Sequence, residues 1–324
     1  MSFFKKYRSK VALATALSIT ALVSLPAAAQ ISEVRGGHTT KDNEFKAIAA
    51  VGIIDSTSGN FLFLQLCTGT LVSPTRVLTG VKCLRRDTVG RLWSTRVPLF
   101  VLFPKDFRMP HTVLWNGDNQ FRSLKEIADA GFIVREVKRE NMLPHPSFKI
   151  SRGDNGENFT QENYSDIMVL KLSKPVNSIK PIHVANKKTV DSLKSGDELK
   201  AVGYGSGHNR GIYNYLKQAT VNYYPKSQCR NLAKKTGEAH LIKNDGICAR
   251  DDNPDLRPNG FCALDEGAPL LRYNKSKSRH EIVGLFSVNV GDDICKNVGA
   301  AFSVKPTSYA AWVDSTLNMG YSIK

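Results

Sequence analysis

Cys262-Ala263-Leu264-Asp265-Glu266-Gly267-Ala268-Pro269-Leu270 is the stretch on which the reading of the whole chain turns. Glu266 stands at its centre, with a second carboxylate, Asp265, before it and Gly267 and Pro269 after it. Glycine and proline punctuate chain direction, so the stretch reads as a turn between two elements. A cysteine opens it. Cys262 is one of six, with Cys67, Cys83, Cys229, Cys248 and Cys295. An even count in an exported chain implies three disulfides, but six cysteines allow about 15 pairings and spacing alone does not choose among them. No pair is spaced as CxxC, so neither a zinc site nor a thioredoxin-type motif is indicated, and no metal or cofactor is expected.

The start of the chain supports export. Lys5, Lys6, Arg8 and Lys10 precede a short apolar run over 11–25, and Pro26-Ala27-Ala28-Ala29 supplies small residues at a cleavage site. This predicts a signal peptide over residues 1–29, removed after about Ala29; the alternative is an uncleaved N-terminal anchor. The run is short and broken by Ser and Thr, and no later segment is apolar enough to span a bilayer, so no membrane span is expected. The leader carries those four cations and no acid, which takes the formal charge from +16 for the 324 residues to +12 after cleavage. A basic exported protein tends to meet anionic partners, although a spread of surface charge also serves solubility. No aromatic-interleaved basic platform argues for specific nucleic-acid recognition.

Between these ends, short β-type runs alternate with turn residues. Strands are expected at 47–54, 61–66, 76–79, 97–103, 132–137, 167–172, 198–204, 219–224, 281–290 and 300–304. Many short strands with few helical periods predict an all-β barrel or sandwich. One helix is expected at the end, where Tyr309, Trp312, Val313 and Leu317 fall on one face at i, i+3, i+4 and i+8. The stretches 104–131 and 149–163 are polar and read as insertions.

Several segments resemble, in order, the motifs of one family. Cys67-Thr68-Gly69-Thr70-Leu71-Val72-Ser73-Pro74-Thr75-Arg76-Val77-Leu78-Thr79-Gly80-Val81-Lys82-Cys83 resembles the C-G-G-T-L-I-x-x-x-W-V-L-T-A-A-H-C of trypsin-like serine proteases (peptidase S1). His145-Pro146-Ser147-Phe148 resembles H-P-x-Y, and Asp166-Ile167-Met168-Val169-Leu170-Lys171-Leu172 resembles D-I-A-L-L-K-L. Val202-Gly203-Tyr204-Gly205 resembles x-G-W-G, the opening stretch resembles C-x-G-D-S-G-G-P-L, and Ser308-Tyr309-Ala310-Ala311-Trp312-Val313 resembles the terminal Y-x-x-W-I. The resemblance covers residues 34–317 and leaves 318–324 as a tail. It implies two six-stranded antiparallel β-barrels with a C-terminal helix. It also selects one pairing, Cys67–Cys83, Cys229–Cys248 and Cys262–Cys295, each loop short enough for closure to contribute roughly 3 kcal/mol.

Carried over residue by residue, the resemblance fails at the chemistry. The triad needs a proton-accepting base, a nucleophile and an orienting carboxylate. Asp166 keeps the last position. Lys82 occupies the base position, and a lysine ammonium has three donors and no acceptor. Glu266 occupies the nucleophile position. Leu264 replaces the glycine whose N–H donates to the oxyanion. Gly260 stands where trypsin-type pockets place an aspartate, and Ser287-Val288-Asn289 resembles S-W-G, the strand that pairs with substrate, with Asn289 expected to narrow the pocket entrance. Val34-Arg35-Gly36-Gly37 resembles the I-V-G-G released on activation, but Glu33 precedes it in place of a basic residue, so no such cut is expected and Asp265 loses its family partner.

The expected function is therefore that of an exported, non-proteolytic homologue acting as a binding or regulatory module. Lys82 is expected to bridge Asp166 and Glu266. The alternative is a hydrolase using the altered cleft, with Glu266 and Asp166 as an acid–base pair or Lys82 as a Schiff-base nucleophile. Partners are an unknown protein or an anionic polymer, and the basic candidates are Arg85-Arg86, Lys187-Lys188, Lys234-Lys235 and, densest, the loop Arg272 to His280. The predicted location is secreted or periplasmic.

Overall fold

The computed structural model describes residues 37–40, 44–55, 62–84, 98–104, 123–148, 165–205, 216–251, 260–262, 264–290, 300–318 and 321–323. The leader, Val34, Arg85-Arg86, the 149–163 insertion and Cys295 lie outside them.

In chain order the elements are β1 (His38–Thr39), β2 (Ile48–Asp55), β3 (Leu62–Ser73), β4 (Arg76–Thr79), β5 (Leu99–Pro104), α1 (Leu124–Asp129), β6 (Phe132–Val137), β7 (Met142–Pro144), β8 (Met168–Lys171), β9 (His183–Val184), α2 (Lys187–Asp191), β10 (Glu198–Gly203), β11 (Lys217–Tyr224), α3 (Lys226–Lys235), β12 (Gly246–Arg250), β13 (Pro269–Asn274), β14 (Arg279–Val290), β15 (Ala300–Val304) and α4 (Ala310–Leu317). They form two sheets. In the C-terminal sheet, β11 pairs β10, then β13, β14, β15 and β12 follow, and β12 pairs β11 again, closing a six-stranded barrel with β1 and β9 attached. The N-terminal sheet runs β6-β5-β2-β3-β4-β8-β7. It has seven strands where six were expected, because a 3-10 turn over Arg139–Asn141 breaks one stretch of chain into β6 and β7. Those two pieces form the opposite edges of the sheet, so it curls back toward itself.

Alternation along the strands sends successive side chains to opposite faces. Val51, Leu71, Val77, Val101, Met168 and Leu170 fill one core with residues of the N-terminal sheet. Leu199, Ala201, Val221, Leu270 and Val283 fill another with residues of the C-terminal sheet. The opposite faces of the same strands, Ile48, Leu78, Leu102, Val169, Val202, Leu271, Ile282 and Phe302, form a third core shared by both sheets. Tyr204 is sealed in it: its hydroxyl donates to Ile48 O at 3.3 Å, its N–H donates to Thr68 Oγ1 at 3.2 Å, and burial pushes its phenol pKa up.

The terminal helix inserts Val313 and Leu317 into this shared core, with Tyr309 and Trp312 packed beside them. Arg76 Nε, from β4, donates to Thr316 O in its last turn at 3.3 Å. Helix α3 follows Pro225 and buries Cys229 and Ala233, and α1 starts at Ser123, whose hydroxyl caps Glu126 N. Neither helix was expected from the sequence, nor was strand β13, which begins inside the stretch quoted at the outset. Two disulfides join described residues, Cys67–Cys83 and Cys229–Cys248; Cys262 is also disulfide-bonded.

Candidate active-site cleft

Three separate local features bring positions 82, 166 and 266 to one place. Lys82 lies in a 3-10 turn, Val81–Leu84, directly after β4, tied back to β3 by Cys67–Cys83. Asp166 precedes β8, which pairs with β4 through Thr79 and Met168. Glu266 sits on the turn before β13, and its carbonyl accepts from Thr68 N at 3.1 Å. Gly267 makes that approach possible. Its φ is +80°, and a Cβ there would lie 2.2 Å from Thr79 Oγ1 and 2.5 Å from Gly80 N, so only glycine lets the turn press against the end of β4.

Asp166 is fully buried. Its Oδ1 accepts from Lys82 N at 2.9 Å and its Oδ2 from the Ser287 hydroxyl at 2.7 Å. The Lys82 side chain is 22% exposed; its Nζ lies 4.0 Å from Asp166 Oδ2 and donates to Ser287 O at 2.9 Å. Of the expected bridge, the structure contains this Lys82–Asp166 contact. The ammonium is thus held between a buried carboxylate and a backbone carbonyl. An ammonium has no lone pair with which to take a proton from a nucleophile. Glu266 is also buried, at 7% exposure.

The turn carrying Glu266 is built around Asp265, which is fully buried. Its Oδ1 accepts from Gly205 N at 2.7 Å and its Oδ2 from Cys262 N at 2.9 Å. Gly203 and Gly205 leave the room: a Cβ at either would lie 2.0 Å or 2.4 Å from the carboxyl group. Burial pushes the Asp265 pKa up to about 7, and the two N–H donors pull only part of the way back. Leu264 has φ +69°, so the backbone keeps a left-handed conformation although a leucine occupies it. Such a conformation costs a non-glycine residue about 1–2 kcal/mol.

At the specificity-pocket positions, no other described residue lies within 4 Å of a Cβ built on Gly260. Phe261 stacks on Phe286, with centroids 4.7 Å apart. The Asn289 amide reaches from β14 to donate to Phe261 O at 2.9 Å. Sequence reasoning did not foresee this cross-link, because it depends on the distance between two segments far apart in the chain. Ser287 likewise emerges as the residue that touches both Asp166 and Lys82, which its resemblance to a substrate-pairing strand did not suggest.

Behind Asp166, His145 packs against Tyr309 and Trp312, with centroids 4.5 and 5.0 Å away. Its Nδ1 accepts from Ser147 N at 3.2 Å, and burial lowers its pKa. His145 therefore serves as a packing element of the terminal helix. Among the described residues no cluster of His, Cys, Asp and Glu could hold a metal ion, and no helix is long and apolar enough to cross a membrane.

Known proteins are similar to this chain in sequence. The chain is 23% identical over 276 residues to urokinase-type plasminogen activator of Gallus gallus, covering 82% of this chain and 54% of that protein. It is 23% identical over 211 residues to kallikrein 1-related peptidase b27 of Mus musculus, covering 64% of this chain and 65% of that one. It is 22% identical over 272 residues to CLIP domain-containing serine protease B8 of Anopheles gambiae, covering 80% and 60%. The chain thus spans between half and two-thirds of the length of these relatives. The family model described as Trypsin matches residues 133–313, more than half of the chain. With a closed barrel, a curled partner sheet and a terminal helix, and with its match to the Trypsin model, this chain belongs to the trypsin family.

Proposed function

We propose that this protein is a non-proteolytic member of the trypsin family, an exported binding or regulatory module built on the protease frame. The observation that carries this reading is the placement of Lys82. At the position of the catalytic base stands an ammonium, bonded to Ser287 O at 2.9 Å and set against buried Asp166. At the nucleophile position, the buried Glu266 stands in place of a serine. Loss of either base or nucleophile removes on the order of 10⁴–10⁶ in rate, and both are replaced here. The Lys82 bond to Ser287 O also occupies a carbonyl on the strand that resembles the family's substrate-pairing segment. In this reading a leader over 1–29 directs the chain outside the cytoplasm, as its disulfides suit, and residues 34–317 form the trypsin-like unit.

The test is direct. Purified protein is incubated with a serine-directed fluorophosphonate probe and with a broad peptide library. No labelling and no cleavage are expected. Cleavage by the wild type that disappears in Glu266→Ala would overturn the reading in favour of a hydrolase with changed catalysis; cleavage that persists in that variant identifies a contaminating protease and leaves the expected result standing.

A further inference from the structure

By sequence, the densest basic segment is the loop from Arg272 to His280. The tertiary structure commits most of that charge internally. Lys277 Nζ and the Arg279 guanidinium both bond to Glu281 Oε1, at 3.1 and 2.9 Å, and the Glu281 side chain is 1% exposed. Arg272 donates to Thr189 O and Ser192 Oγ and lies 4.0 Å from Asp197. Lys187 is paired with Asp191. A ligand would have to compete with these partners for each of those cations.

Helix α3 is different. Its sequence, KSQCRNLAKK, contains four cations and no acid. Lys226, Arg230 and Lys234 recur every fourth residue, so they project along one face about 6 Å apart. Lys226 Nζ bonds to Asn244 Oδ1 at 3.0 Å and Arg230 Nη2 to Ile242 O at 2.9 Å, both neutral acceptors that leave the charge uncompensated. Among the described residues, none of the three enters an ion pair. Arg230, Lys234 and Lys235 are exposed. The acids nearby have other partners: Asp245 bonds the Tyr309 hydroxyl, Asp191 bonds Lys187 and Glu238 bonds Thr236. Lys305 feels charges of both signs: burial, with Lys226 and Lys187, lowers its pKa, while Asp191 and Asp245 pull it up. Beside this stripe, Cys229 and Ala233 are buried, and Cys229–Cys248 fixes the helix to β12. The cations are therefore a rigid comb, and little ordering is needed to present them.

We propose that the exposed face of α3, with Lys226, Arg230 and Lys234 in line and Lys305 beside its first turn, binds a linear anionic polysaccharide through its repeated acidic groups. The spacing suits a polymer with charges along one edge. The exposed large apolar side chains among the described residues are Leu124 and Tyr273, neither of them on α3, so the face offers no ring on which bases would stack. None of the cleft residues takes part, and the inference holds whether or not the cleft cleaves peptides.

The experiment measures binding of the full chain to immobilised dextran sulfate across a salt series. The logarithm of the affinity should fall linearly with the logarithm of salt concentration as counterions are released. The variant K226Q/R230Q/K234Q should bind at least about tenfold more weakly, with the salt slope reduced by about 2–3. K226Q/K234Q, which keeps the Arg230 bond to Ile242, should show about two-thirds of that change in slope. As control, K171Q/K174Q/K180Q removes the same charge from exposed lysines elsewhere and should stay within about twofold. Equal loss in the control would mean that net charge alone binds the polymer, and would overturn the assignment. An unchanged K226Q/K234Q would overturn it too, as would tighter binding of wild type to single-stranded DNA than to dextran sulfate.

Discussion

Asp265 offers a quantitative test of how this turn is held. Its carboxyl group is fully buried and accepts from Gly205 N and Cys262 N. Burial raises its pKa from 3.8 to about 7. Because the folded-state value lies above the unfolded one, the contribution to stability is fullest below pH 3.8 and is lost as pH rises toward 7. The full shift corresponds to about 4 kcal/mol. Between about pH 5 and pH 8 the expected loss is roughly 2–3 kcal/mol.

The assay is urea unfolding of wild type and Asp265→Asn across that range. Other titrating groups are common to both chains and cancel in the difference. The Asn variant loses one acceptor oxygen and so places an NH₂ against a backbone donor, a fixed cost of about 1–3 kcal/mol that does not vary with pH. The stability of wild type relative to the variant should therefore fall by roughly 2–3 kcal/mol from about pH 5 to pH 8. A difference that stays flat within about 0.5 kcal/mol would refute the reasoning, since it would mean that a cation compensates the carboxylate, as an amine does in the family's activated form.

Three further outcomes are expected, each read from unfolding curves. At Leu264, with φ +69°, glycine should be more stable than alanine by about 1 kcal/mol, because only glycine enters that region without strain; alanine equal to glycine would show that the turn relaxes. Lys82→Met should cost about 1–2 kcal/mol, from the lost bond to Ser287 O and the weakened surroundings of Asp166, discounted because the lysine is partly exposed; an unchanged melting temperature would remove Lys82 from any structural role in the cleft. Gly267→Ala and Gly196→Ala form a matched pair, at φ +80° and +84°. The first drives a Cβ into Thr79 and Gly80 while the second meets no described residue within 4 Å, so the losses should be above about 3 and near about 1 kcal/mol; equal losses would mean that strain alone, and not the close approach, governs Gly267.

Much of the frame was legible in the chain. The β-type runs of β2, β5, β6, β10 and β15 stand out between turn residues, β5 and β15 being buried at every position between two cores, and the terminal helix shows its stripe at Tyr309, Trp312, Val313 and Leu317. Elements whose cues are short were missed. Helix α3 has an apolar stripe of only Cys229, Leu232 and Ala233, too brief to stand out from its lysines, although Pro225 just before it was an available start signal. Strand β13 begins at Pro269, a residue that reads as a turn, and it is a strand because β10 and β14 lie on either side of it. The break between β6 and β7 has no marker in Arg139–Asn141 and arises from pairing with β5 on one side and β8 on the other.

The sequence by itself determined which atoms stand at the cleft: no imidazole at 82, no hydroxyl at 266, an aspartate kept at 166, and glycines where the chain must turn tightly. Residue type fixes what a group can donate or accept before any folding, so an ammonium at 82 and a carboxylate at 266 needed no coordinates to be read. Only the tertiary structure decided what those groups do to one another. It set Lys82 on Ser287 O, gave both oxygens of Asp265 to backbone donors, tied Asn289 to Phe261 and spent the charges of the 272–280 loop on Glu281 and Asp197 while leaving those of α3 in line. Each of these depends on distances between segments far apart in the chain, and those are fixed by the packing of two sheets about a shared core.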